Sequence, residues 1–90
     1  MSNKVYYSTP EIDRNARYCI ELEYVEFSKY DAEIVAEDFH DFHSGKELSW
    51  PIIFALHKNE DGPAVVCYSV DRVAIPSFFA TEIDEEEAKL

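Results

Sequence analysis

Residues 28–45 read SKYDAEIVAEDFHDFHSG, and the helical spacing of their apolar residues makes them the stretch that decides the fold. Ser28 suits the N-cap position, and Asp31 follows at the spacing of a capping box. Gly45 suits the C′ position because a residue without Cβ adopts the left-handed conformation at little cost. We predict one amphipathic helix whose buried side comprises Ala32, Val35, Ala36, Phe39, Phe42 and His43.

The other side of this helix is a row of carboxylates. Glu33, Glu37 and Asp41 follow one another at intervals of four residues, and Asp38 lies beside them. Like charges at this spacing repel by about 0.2–0.5 kcal/mol per pair. The helix has no Lys or Arg after Tyr30 to relieve that repulsion, whereas a helix selected only for stability would interleave cations. The row therefore indicates either a solvated face or a surface for a basic partner.

We predict a strand over residues 17–27, because their apolar residues alternate with the period of two expected for a half-buried strand. The apolar face consists of Tyr18, Ile20, Leu22 and Tyr24. The opposite face carries Glu21 and Glu23, which extend the acidic surface of the helix if that side of the strand is open. Residues 1–16 are predicted to be irregular or to form one short edge strand, which Thr9-Pro10 ends.

A hairpin is predicted downstream of the helix. Residues 50–57 (WPIIFALH) are apolar on both faces, as is typical of a strand well inside a sheet. Residues 58–63 contain the turn signal Asp-Gly, and residues 64–73 form the return strand. Residues 77–81 are predicted as a last short strand or a bend, after an interruption at residues 75–76.

These elements predict an α+β fold in a single domain over residues 1–90. The layout is a two-layer β-α-β-β unit, with one helix packed on a mainly antiparallel sheet of three to four strands. The core is expected to span about residues 17–81. Residues 82–90 are expected to be a frayed acidic tail.

The composition excludes several classes of function. Nearly half of the 90 residues are hydrophobic, which excludes an intrinsically disordered chain. Nineteen acidic residues against eight Lys and Arg give a net charge of −11, which repels nucleic acid, anionic membranes and anionic substrates. No apolar run reaches membrane-spanning length, and no signal sequence is visible. Cys19 and Cys67 are expected to be reduced, buried thiols, so we expect a cytoplasmic protein.

No set of residues predicts catalysis. His40 and His43 lie one helical turn apart and could bind a transition metal, but the remaining histidine, His57, belongs to a strand end. Both cysteines fall in strand interiors, and both glycines fall in predicted caps or turns, which leaves no phosphate-binding loop. We therefore expect no enzyme, no cofactor and no metal, with zinc binding at His40 and His43 as the alternative to test.

Three segments carry a resemblance to a class of proteins. The acid-rich helix DAEIVAEDFHDFH (residues 31–43), the WP pair that opens a strand (50–51) and VDRVAIPSFFAT (70–81) together resemble small acidic phage and prophage proteins. Some proteins of that type are anti-CRISPRs or other inhibitors of host defence, and several mimic nucleic acid. The resemblance implies an inhibitor that acts in the host cytoplasm, and it identifies no target.

The expected partner is a basic nucleic-acid-binding protein, such as a CRISPR effector, rather than nucleic acid itself or a membrane. The predicted contact residues are carboxylates of the helix and the first strand: Glu33, Glu37, Asp38, Asp41, Glu21 and Glu23. The alternative is a structural or assembly module, including a homodimer. Such a module would dock through an edge strand or through Phe78 and Phe79, and its acidity would serve solubility only.

Overall fold

The structure, a computed structural model, describes residues 3–43, 49–74 and 77–88. It has five strands and two helices: β1 Asn3–Thr9, β2 Asp13–Leu22, α1 Lys29–Phe42, β3 Ile52–His57, β4 Ala64–Ala74, β5 Ser77–Ile83 and α2 Glu85–Ala88. The strands form one antiparallel sheet in the order β2-β1-β3-β4-β5. The α+β class and the antiparallel sheet are therefore confirmed.

The N-terminal strand differs most from the sequence prediction. β1 is an inner strand, since it pairs with β2 on one side and β3 on the other. Val5 and Tyr7 are 0% and 1% exposed, so the core begins well before Arg17. The element order is β-β-α-β-β-β-α instead of β-α-β-β, and the sheet has five strands instead of three to four. The predicted end of the strand at Thr9 is confirmed.

The predicted hairpin is confirmed, whereas the C-terminal segment is more regular than expected. β3 and β4 pair from Ile52 opposite Val70 to Leu56 opposite Val66. β5 is a full strand that pairs along β4 and continues to Ile83. In place of a frayed tail, α2 follows and packs Ala88 on the sheet face opposite α1, in a small cluster with Ala55 and Cys67. Cys67 is buried as predicted, whereas Cys19 on the edge strand β2 is exposed.

Helix α1 covers the other face of the sheet and builds the main core. Its residues Ala32, Val35, Ala36 and Phe39 are fully buried, as predicted. The Phe39 ring centroid lies 5.5 Å from that of Phe54 and 6.5 Å from that of Tyr7. The prediction that Phe42 belongs to this buried side is wrong, because Phe42 is 71% exposed beyond the edge of the core. No helix in the described ranges is long and apolar enough to cross a membrane.

The start of α1 is fixed by Asp31 rather than by the N-cap side chain. Ser28 makes no side-chain cap hydrogen bond. The buried carboxylate of Asp31 instead accepts the backbone N–H groups of Glu26 and Phe27 at 2.8 and 2.7 Å. Phe27 has a positive φ of 54°, which a residue with a large side chain rarely adopts. Gly45, the predicted C′ residue, and residues 75–76, the predicted strand interruption, lie outside the described residues.

Candidate functional site

The side of α1 that points away from the sheet carries two apolar and two acidic residues. Burial of Ala32, Val35, Ala36 and Phe39 fixes the rotation of the helix against the sheet. Tyr30, Ile34, Glu37 and Asp41 then follow one another at three- or four-residue intervals along the opposite side. All four are exposed, Tyr30 by 63% and Ile34 by 44%. We call these four residues the outer face of α1.

Glu33 does not belong to the outer face. It is half-buried on the flank of α1 that lies over β5, the edge strand of the sheet. Its Oε2 accepts the backbone N–H of Ala80 in β5 at 3.1 Å. Unpaired N–H groups on an edge strand are a template for pairing with another chain, and the carboxylate satisfies this one. The predicted contact residue Glu33 thus has a structural role.

Replacing Glu33 with alanine is expected to lower the free energy of unfolding by about 1 kcal/mol, because the Ala80 N–H loses its acceptor. The matched control is Glu37→Ala, one helical turn further on at an exposed position, where a change below about 0.5 kcal/mol is expected. Urea denaturation of both variants measures the difference. Equal effects at the two positions would show that the Glu33 hydrogen bond contributes nothing.

Asp38 lies on the opposite flank of α1, towards β1. Its Oδ2 accepts the hydroxyl of Tyr7 at 2.7 Å. Burial and, to a lesser extent, this hydrogen bond raise the pKa of the Tyr7 hydroxyl, so the phenol stays protonated and donates. Asp38 is itself exposed, which leaves its second oxygen open to a partner. The carboxylates of α1 that face solvent are therefore Glu37, Asp38 and Asp41.

The carboxylates of the first predicted strand do not extend this row. Tyr18 and Ile20 of β2 pack against the core beneath α1. Glu21 alternates with them, and its Cα pairs with that of Lys4, so it lies on the sheet face opposite α1. Glu23 follows the end of β2, where its backbone carbonyl accepts the Asn3 side-chain amide at 3.1 Å. The structure brings together Glu37, Asp38 and Asp41, and it places Glu21 elsewhere.

The outer face carries uncompensated negative charge. Within residues 3–43, 49–74 and 77–88, neither Glu37 nor Asp41 has a Lys or Arg ion-pair partner. Among the described residues, the basic group that contacts Asp41 is the imidazole of His40, with 3.7 Å between Nδ1 and Oδ1. The ammonium of Lys29, in the first turn, lies instead over the ring of Tyr30, 5.3 Å from its centroid. A basic partner would supply cations that the described residues do not place beside Glu37 and Asp41.

His40 and His43 point into different surroundings. The His40 ring lies 6.4 Å from the Trp50 ring and 5.8 Å from the Phe78 ring, on the β5 side of α1. The His43 ring packs against Phe39, and its Nδ1 lies 2.9 Å from the Phe39 carbonyl oxygen. The described residues contain no group of three or more His, Cys, Asp or Glu side chains that could hold a metal ion. The geometry therefore offers no support for a metal site at this pair.

A buried polar cluster at the end of β3 has no counterpart among the residues predicted from the sequence. The Nδ1 of His57 lies 3.0 Å from the Gly62 carbonyl oxygen, and its Nε2 lies 2.8 Å from the Ser8 hydroxyl. Since a carbonyl only accepts, Nδ1 carries the proton and Nε2 accepts from Ser8. Arg17 donates to the carbonyls of Asn59, Glu60 and Gly62 at 3.1, 2.7 and 3.2 Å. The cluster therefore fixes the β3–β4 turn to the neighbouring strands.

A serine bonded to a histidine also suggests a nucleophile and its base. Ser8 and His57 are only 5% and 4% exposed, which leaves the hydroxyl closed to a substrate. The group that orients the imidazole is a backbone carbonyl, so no carboxylate stabilises an imidazolium as in a catalytic triad. The arrangement is explained by the satisfaction of buried polar groups.

The His57 cluster predicts that stability falls at acidic pH. Burial and then the charge of Arg17 lower the pKa of His57 below its ordinary value of 6.5. The unfolded chain therefore binds a proton at a higher pH than the folded protein does. The contribution of neutral His57 to stability is present above pH 6.5 and is lost as the pH falls through the folded pKa.

Urea denaturation of the wild type and of His57→Gln between pH 7.5 and 4.5 measures this effect. The free energy of unfolding of the wild type should fall relative to that of the variant, whose residue 57 does not titrate. Parallel profiles would contradict the assignment. At low pH the carboxylates of both proteins become protonated and repel one another less. Because the wild type and the variant share this effect, it drops out of the difference between them.

Comparison of the chain with protein-family models, with curated proteins and with solved structures finds no match. The apolar half of the outer face could have been found from sequence, since Tyr30 and Ile34 fall opposite Ala32 and Ala36 on a helical projection. The Asp31 hydrogen bonds are local and belong to the helix start that the sequence signals, whereas the Glu33–Ala80 and Ser8–His57 hydrogen bonds join distant segments and leave no such signal.

Proposed function

We propose that this protein is a non-enzymatic, phage-type inhibitor that acts in the host cytoplasm. It binds a basic nucleic-acid-binding protein, such as a CRISPR effector, and prevents that protein from binding nucleic acid. The observation that carries the proposal is the outer face of α1, where Glu37 and Asp41 are exposed without a Lys or Arg partner in the described part of the chain. The net charge of −11 adds a field that draws basic surfaces towards it.

The spacing of the carboxylates supports mimicry of a phosphate backbone. Side chains one helical turn apart have Cβ atoms about 5–6 Å apart. Glu37 and Asp41 have this spacing, and Asp38 adds a third negative group beside them on α1. In a nucleic-acid-binding protein, Lys and Arg side chains bind successive phosphates. The same side chains could bind this row of carboxylates, which the helix holds at fixed spacing.

The apolar half of the outer face supports a protein partner. Tyr30 and Ile34 continue the row of Glu37 and Asp41 towards the start of the helix. Exposed tyrosines are enriched among the residues that dominate protein interfaces. Charge complementarity mainly accelerates association and selects the partner, whereas buried apolar contacts slow dissociation. We therefore expect affinity to fall as the salt concentration rises, since screening weakens the attraction between the carboxylates and a basic partner.

The proposal is tested by affinity capture followed by a competition assay. Host proteins are captured on the immobilised protein and eluted with a salt gradient, and each eluted protein is then mixed with labelled nucleic acid. The proposal predicts a basic protein that elutes at moderate salt and releases its nucleic acid when the inhibitor is added. A partner that binds nucleic acid and this protein at the same time would contradict it.

The assembly module is a second candidate because several large apolar side chains are exposed. Tyr24 is 75% exposed, Phe42 71% and Phe79 54%, whereas Phe78 packs against the core. A module that docks a second copy through such residues would form salt-resistant dimers. Analytical ultracentrifugation at low and high salt distinguishes the two candidates. A protein that sediments as a monomer at both salt concentrations excludes the homodimer.

A further inference from the structure

A cavity of about 440 Å³ opens beside the β2–α1 connection, away from the outer face of α1. It is bounded by the start of β1, the connection itself and the residue after β3. Its lining residues are Asn3, Lys4, Val25, Phe27 and Lys58. Sites for small organic ligands typically measure about 300–1,000 Å³, so this cavity has room for one such molecule.

The wall formed by the connection is held rigidly. Phe27 adopts its positive φ of 54° because three hydrogen bonds fix its surroundings. Asp31 accepts the N–H groups of Glu26 and Phe27, and the Tyr68 hydroxyl donates to the Phe27 carbonyl at 3.0 Å. Unfavourable backbone conformations persist where surrounding contacts over-determine them, and they cluster at ligand sites. The Asn3 side chain binds the start of the same connection through the Glu23 carbonyl.

The charges at the cavity are opposite in sign to those of the chain as a whole. Lys4 and Lys58 are exposed at its rim, and neither ammonium has an ion-pair partner in the part of the chain that the structure describes. They are two of only eight Lys and Arg residues in a chain of net charge −11. Lys4 lies opposite Glu21 across the β1–β2 pair, so a bound anion competes with at least this carboxylate for the Lys4 ammonium. Screening at physiological salt weakens the field of carboxylates more than about 8 Å away.

We propose that this cavity binds a small organic anion, a carboxylate or a phosphate joined to an apolar group. The anionic group contacts Lys4 and Lys58, which act as strong charged donors. The apolar group packs against Val25 and the ring of Phe27, both half-buried in the cavity wall. The proposal does not rest on the proposed function, because it uses no residue of the outer face of α1.

Amide chemical shifts of the isotope-labelled protein test the proposal during titration with four probes. Benzoate and phenyl phosphate carry both required groups, benzyl alcohol lacks the charge, and inorganic phosphate lacks the apolar group. The proposal predicts saturable shifts at residues 3–4, 25–27 and 58 with benzoate or phenyl phosphate, and at least tenfold weaker effects with the other two probes. Which of the two active probes binds more tightly identifies the anionic group.

Variants assign the charge contribution. Lys4→Gln with Lys58→Gln is expected to weaken binding of the active probe by about tenfold or more, since each ammonium contributes a charged hydrogen bond. The matched control is Lys29→Gln, which removes an exposed ammonium outside the cavity and should leave binding unchanged. The absence of saturable shifts, equal binding of benzyl alcohol or inorganic phosphate, or equal binding by the double variant would each overturn the proposal.

Discussion

Replacing Asp31 with alanine is expected to lower the free energy of unfolding by about 3 kcal/mol, although the residue lies on the acidic helix α1. Its carboxylate is 5% exposed and accepts two backbone N–H groups, those of Glu26 and Phe27. A fully buried N–H left without an acceptor costs about 1–3 kcal/mol, and these two lie in partly buried hydrogen bonds, so about 3 kcal/mol for the pair is towards the lower end of what two such groups would cost. The substitution also frees Phe27 from its positive φ, so the connection that leads into the helix loses its fixed geometry.

Urea denaturation measures this effect, and Asp41→Ala provides the control, because Asp41 is an exposed acid on the same helix. The control should change the free energy of unfolding by less than about 0.5 kcal/mol. Asp31→Asn separates hydrogen bonding from charge, since the amide oxygen can still accept and a smaller loss than with alanine is expected. If Asp31→Ala matched Asp41→Ala, the account of how α1 begins would be wrong.

Replacing both Glu37 and Asp41 with lysine is expected to weaken partner binding by about 100-fold or more. Each substitution removes a charged contact, and a contact worth about 1.4 kcal/mol corresponds to a tenfold change in affinity. Both residues are exposed and lack Lys or Arg partners among the described residues, so the fold should be retained. Stability should be unchanged or slightly higher, because the substitutions remove repulsion along α1. Glu33 is left intact, since it holds the Ala80 N–H of β5.

The matched control reverses two other exposed acids, Glu86 and Glu87 of α2, on the opposite face of the sheet. Each acid-to-lysine substitution raises the net charge by two units, so both double variants have a net charge of −7 instead of −11. The α2 variant should bind the partner nearly as tightly as the wild type. Equal weakening by both variants would show that total charge, and not the outer face of α1, determines binding.

The sequence predicts α1 and the β3–β4 hairpin well because both rest on strong local signals. Four of the six residues predicted as the buried side of α1 are fully buried, since tertiary packing follows the 3.6-residue period. Phe42 departs from this pattern because, as the last residue of the helix, it lies at the margin of the buried stripe, whereas His43 packs on Phe39. The hairpin follows from an apolar run, a turn signal and an alternating return strand.

β1 could not be placed from the sequence because its position depends on pairing between distant segments. Its register with β3 joins Tyr6 to His57 and Tyr7 to Leu56, across some fifty residues of chain. A short strand with two inward apolar residues, Val5 and Tyr7, looks the same whether it lies at an edge or inside a sheet. The same limit applies to Glu33, whose acceptor role appears only once β5 lies beneath α1.

The most direct test of the account measures how well the protein displaces labelled nucleic acid from its captured partner, by fluorescence anisotropy at two salt concentrations. If the outer face of α1 is the binding surface, the wild type and Glu86→Lys/Glu87→Lys displace the nucleic acid, Glu37→Lys/Asp41→Lys displaces little of it, and displacement weakens at the higher salt. Displacement by Glu37→Lys/Asp41→Lys that equals that of the wild type would contradict this assignment. In that case the outer face of α1 would not be the binding surface.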